Sequence, residues 1–90
     1  MQLQLTNLRF ADVKDALVRN GFCLAEAESD AGEVFGAEVW SETGGGFKVG
    51  LVTLEPGSFP RFTLMLVDGH LGRSRVHGVM TDLLNNLWRA

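Results

Sequence analysis

Both histidines and two of the arginines fall within His70-Leu71-Gly72-Arg73-Ser74-Arg75-Val76-His77. This stretch leads into a predicted helix, and the free N–H groups and dipole of a helix start favour an anion. Arg73, Ser74, Arg75 and His77 therefore form a candidate anion-binding set, suited to a phosphate, a carboxylate or an acidic loop. The plainer reading is a solvated loop with Ser74 as helix cap and surface arginines. Asp68, His70 and Ser74 are triad-type side chains, but no nucleophile-elbow pattern surrounds them, and triads are defined by geometry. A small enzyme or enzyme subunit using His70 or His77 is the remaining catalytic reading, and no catalytic residue is assigned. The histidines lack a third ligand at zinc spacing, and Cys23 is distant in sequence. No metal and no cofactor is expected.

Gly44-Gly45-Gly46 followed by Phe47-Lys48 is a poor phosphate loop. Such loops need Gly-Lys-Ser/Thr running into a helix, whereas Val49 follows Lys48 in a strand context. A hairpin turn is the default.

Charge is distributed unevenly. Glu26, Glu28, Asp30, Glu33, Glu38 and Glu42 lie between Asn20 and Phe47 with no Lys or Arg, so this segment carries −6 of a net −3 and the remainder carries +3. The block either keeps a hairpin soluble or recognises a basic partner, with charge steering the encounter. Glu26, Glu28, Glu33, Glu38 and Glu42, with Trp40 as an aromatic anchor, are the candidate interaction residues of this region. For Trp40 a core position is the competing reading. A net negative chain is not expected to bind nucleic acid directly.

These residues are positioned by elements that the apolar pattern predicts. Val76, Val79, Met80, Leu83, Leu84, Leu87 and Trp88 recur on a 3.6-residue period, so the spacing predicts a helix over 74–90 with Leu84 in the core. A second helix is predicted over 8–20, begun by a Thr6 or Asn7 cap and stopped at Asn20-Gly21. Strands are predicted over 2–5, 22–28, 33–42, 47–55 and from 59 or 61 to 67. In the second, Cys23 is read as a buried core thiol. In the third, Phe35 shares a face with Ala37 and Val39. Short turns between the strands imply an antiparallel meander. The predicted fold is α+β: a two-layer sandwich of four to five mainly antiparallel strands with two helices on one face, in the order (β)αββββα.

The last two strands do not alternate cleanly. Phe47, Val49 and Leu51 share one parity, and Val52 and Leu54 the other. Phe62, Leu64 and Leu66 read as core, leaving Met65 and Val67 on the opposite face with Val49 or Val52 nearby. A strand with one wet face should alternate, so the helix-free face is expected to be covered, most simply by a second copy in a homodimer.

Ninety residues make one domain, residues 1–90. One cysteine permits no internal disulfide. Residues 1–5 lack the pattern of a signal peptide, and no apolar run approaches a membrane span, so a cytoplasmic location without membrane contact is expected. The leading functional expectation is a non-catalytic protein–protein interaction module with a protein partner. It would be of adaptor, chaperone or small-inhibitor type, including an inhibitor of a nucleic-acid-handling machine that uses the acidic surface. A small anionic-ligand domain using residues 70–77 is the alternative.

Overall fold

The computed structural model describes residues 2–42, 45–55, 57, 60–67 and 73–89; within these, the side chains of residues 42, 45, 73, 74 and 86–89 lie outside the description. The elements are β1 (Gln2–Arg9), α1 (Phe10–Arg19), β2 (Cys23–Glu28), β3 (Val34–Glu42), β4 (Gly45–Leu54), β5 (Arg61–Val67) and α2 (Arg73–Arg89). They form the predicted α+β order, with one antiparallel sheet arranged β1-β5-β4-β3-β2. Its first and last strands, β1 and β2, are consecutive in sequence. The connecting helix α1 must therefore cross the sheet. Four strand spacings come to about 19 Å, and the ten residues of α1 supply about 15 Å of rise.

The core lies between the sheet and the helices. Leu8 of β1, Ala37 and Val39 of β3, Val49 and Val52 of β4, and Phe62, Leu64 and Leu66 of β5 meet Val13, Ala16 and Leu17 of α1 and Val79 and Leu83 of α2. The Phe10 ring of α1 tilts against Phe62 with centroids 5.2 Å apart.

Bulges decide which residues reach this core. In β1, Leu5 pairs with Leu64 and Leu8 with Phe62, so three residues of one strand oppose two of the other. The extra residue lets Leu5 and Leu8, which would face opposite ways in a regular strand, share the core face. Asn7 absorbs the distortion at φ 60°, a region that Asn tolerates better than most side chains. Its N–H donates to Glu55 Oε1 at 2.7 Å, and the Thr63 hydroxyl donates to the same oxygen at 2.9 Å. The predicted Thr6 or Asn7 cap is thus corrected. The strand runs on to Arg9, which occupies the N-cap position of α1 without a side-chain cap bond.

A second register shift lies in β4, where Val39 pairs with Gly50 but Trp40 pairs with Lys48. Val49 is the added residue and is buried with Val52. The predicted grouping of Val49 with Phe47 and Leu51 is corrected accordingly. Gly50 sits where β4 and β5 approach closely: a Cβ there would run into the Met65 carbonyl oxygen and come within 2.8 Å of the Leu66 side chain. A third shift, between Ala27 and Glu28 opposite β3, moves Phe35 off the Ala37–Val39 face, and it is half exposed.

The stop of α1 is as predicted. Phe22 N–H donates to Leu17 O at 3.0 Å and Gly21 N–H to Val18 O at 3.1 Å, with Gly21 at φ 86°. This is the Schellman arrangement, and its usual apolar contact is available from Leu17 and Phe22, both buried.

The stripe on α2 is narrower than its apolar pattern. Val76, Val79 and Leu83 are buried, Met80 is half-buried, and Leu84 is 43% exposed. The expected burial of Leu84 is corrected, because α2 shares one layer with α1 and only the line 76-79-83 turns inward. Leu87 and Trp88 belong to the side chains outside the description. Leu83→Ala should therefore lower the unfolding free energy by about 2–5 kcal/mol, as large-to-small core changes do. Leu84→Ala should cost less than about 1 kcal/mol. Denaturant unfolding of the two variants checks the difference.

Candidate functional site

The face of the sheet turned away from the helices is the largest surface on which predicted site residues come together. Strand pairing sets its rows. Gln4, Met65, Leu51, Glu38 and Ala25 form one continuous row across all five strands. Thr63, Thr53, Gly36 and Ala27 form the next. On the other side Gln2 pairs with Val67, and Trp40 with Cys23. Leu51 is 39% exposed, Val67 49% and Phe47 63%. Among the described residues nothing covers this face. The 19 Å thin dimension of the molecule accommodates the sheet and a single helix layer, each helix being about 10–12 Å across.

Two shallow depressions flank Leu51. One is lined by Phe47, Gly50, Met65 and Val67, the other by Ala25, Ala27, Phe35, Gly36 and Thr53, and Leu51 borders both. The second floor is low because Ala27 and Gly36, paired in register, are both small. Met65 and Val67 thus occupy the helix-free face as expected. The nearby aliphatic residue is Leu51, in direct register with Met65, and neither Val49 nor Val52. Only the bulge at Val49 distinguishes these alternatives, and composition does not reveal it.

Trp40 and Cys23 also stand here, paired in register and each half-buried. Cys23 was expected in the core. The correction follows from parity, since its neighbours Phe22 and Leu24 take the inward positions.

The acidic residues are not gathered on one surface. Glu26 points to the helix side and pairs with Lys14 of α1 at 3.1 Å. Glu38 points to the helix-free face and pairs with Lys48 of β4 at 2.9 Å. Glu28 and Glu33 are exposed near the far end of the β2–β3 hairpin, as is Asp30. There Gly32 N–H closes the turn onto Ser29 O at 2.9 Å. The side chain of Glu42 lies outside the description. Exposed ion pairs of this kind contribute at most about 1 kcal/mol, so the two lysines chiefly neutralise charge locally.

At the start of α2 the described candidate anion ligands are Arg75 and His77, and they point to different surroundings. Asp68 and His70 lie outside the described residues, as do the side chains of Arg73 and Ser74. His77 is exposed. Arg75 turns inward. Its Nε donates to Asn20 O at 3.0 Å, and a terminal guanidinium nitrogen donates to Ser41 O at 2.7 Å. Its guanidinium carbon stands 4.2 Å from the centre of the Phe22 ring. The cation thereby serves the carbonyl end of α1, where the helix dipole favours positive charge, and ties α2 to β3. Asn20 completes the joint, its side-chain amide donating to Ala16 O at 2.8 Å and Asp82 Oδ2 at 2.9 Å. Buried Ser41 accepts the Phe47 N–H on Oγ at 2.9 Å.

Among the described residues no group of three His, Cys, Asp or Glu side chains is placed to hold a metal. No helix among the described residues is long and apolar enough to cross a membrane. Comparison with protein-family models, curated proteins and solved structures finds no match for this chain.

Arg75→Ala should destabilise the fold by about 2–4 kcal/mol, because it removes charge-assisted bonds to two carbonyls, one of them on a buried residue, together with a ring contact. Arg75→Lys should recover less than half of the loss, since an ammonium does not reproduce the planar fork. Thermal and denaturant unfolding of the three proteins measures both effects.

Proposed function

We propose that this chain is a non-catalytic protein–protein interaction module whose contact surface is the helix-free face of the sheet. The observation that supports this most directly is the contiguity of Leu51, Met65 and Val67 across β4 and β5 with no covering layer among the described residues. Soluble monomers rarely leave large contiguous apolar areas wet, and such areas usually mark contacts with other proteins. The surroundings fit an interface. A central aliphatic group is flanked by the half-buried Trp40 and bordered by polar Gln2, Gln4, Thr53 and Thr63, an apolar centre with a polar margin. The face has shallow relief, as protein contacts do, whereas small-molecule sites are deeper and more enclosed.

The exposed acids at the hairpin end, Glu28, Asp30 and Glu33, have a subsidiary role in this reading. They keep the outer end of an edge strand charged and discourage strand-to-strand addition.

A photoreactive residue placed at position 51 of the full chain, with position 18 on exposed α1 as control, tests the reading in living cells. The expected result is a discrete protein adduct from position 51, identifiable by mass spectrometry and lost when Met65→Glu is added. Equal labelling from both positions, or no protein adduct from position 51, refutes the assignment.

A further inference from the structure

We infer that the occupant of the helix-free face is a second copy of this chain, docked sheet to sheet about a two-fold axis near Leu51. The inference rests on the interaction reading of that face and specifies its partner. Three observations carry it.

The first is size. Five strands at about 4.8 Å spacing, with about 25 Å of strand length, give a face of roughly 600 Å². Two copies would remove roughly 1,200 Å² from water, the lower end of the range for specific interfaces.

The second is charge. The acidic block does not converge on this face. Glu38 is already neutralised by Lys48 at 2.9 Å, and the two side chains remain 46% and 44% exposed. Among the described residues a strongly basic partner would find no free acidic cluster on this face. A two-fold copy presents an equally neutral surface, and it can bring Lys48 of one chain towards Glu38 of the other without net repulsion.

The third is relief. Leu51 stands between two depressions, with Gly50 and Met65 on one side and Ala27 and Gly36 on the other. A self-complementary contact needs a projection and a hollow on the same patch, and this face holds both. The aliphatic side chain of Leu51 in each copy would seat in a hollow of its partner.

Sedimentation equilibrium of the full chain tests the inference. The expected result is an average mass that rises from one chain towards two across the micromolar range. Leu51→Glu should abolish the rise while leaving the circular-dichroism spectrum and unfolding midpoint near those of the wild type. If that variant loses its helical signal, Thr53→Arg, at an exposed position in the next row, serves the same purpose. Glu38→Lys and Lys48→Glu should each associate several-fold more weakly alone, because like charges then meet, and an equimolar mixture of the two should recover association. A folded wild type that stays monomeric throughout overturns the second copy as occupant. So does a dimer that ignores both Leu51→Glu and Thr53→Arg. In either case a position-51 adduct to a different protein would preserve the interaction reading, whereas the absence of any adduct would remove both.

Discussion

Side chains in a strand alternate with a period of two, and one layer of helices can bury only one set. This constraint governs the molecule. Large aliphatic residues in β1 and β4 are spaced three apart, at Leu5 and Leu8 and again at Val49 and Val52. A regular ladder would send one of each pair to water, at about 1.5–3 kcal/mol per exposed side chain. A bulge in each strand brings both inward. The devices that accommodate the bulges then follow: Asn7 in the left-handed region, the Glu55 carboxylate accepting from Asn7 N–H and Thr63, and Gly50 at the close approach to β5.

The same irregularities show what was legible beforehand. Element order, sheet class and the stop of α1 could be read because each has a local signature. Helical periodicity marks α2, turn residues separate the strands, and Asn20-Gly21 ends a helix through left-handed geometry. Strand parity beyond a bulge cannot be read this way. Thr6 and Asn7 are residue types that cap helices, which is why the end of β1 passes for the beginning of α1. Leu51 was concealed by the same ambiguity, since its face depends on whether Val49 counts in the ladder. The inward turn of Arg75 was hidden for another reason. Its acceptors, Asn20 O and Ser41 O, are backbone atoms that no side-chain motif announces.

Electrostatics reorganise in three dimensions what looked polarised in one. The acidic run is divided by alternation, so Glu26 and Glu38 go to opposite faces, and each finds a lysine from outside the run. One of the two arginines that suggested an anion site is committed to the fold. Arg75 binds the carbonyl end of a neighbouring helix, a task for which its fork of donors is well suited. Among the described members of the run, the acids left without a lysine are those at the outer end of one hairpin, away from Leu51 and Met65.

The pairing of β1 with β5 joins residue 2 to residue 67, so the two edges of the ladder differ in the order in which they can be made. The β2–β5 meander closes through short turns, with little loss of chain entropy at each step. The β1–β5 seam closes a loop encompassing most of the chain. During synthesis the amino-terminal strand leaves the ribosome first yet has no partner until β5 follows it. High sequence separation of this kind slows folding and prolongs the exposure of unpaired strand edges. The β1–β5 seam therefore carries the largest loop-closure cost of the sheet, and until it forms the outer edge of β5 is open to pairing with the wrong chain.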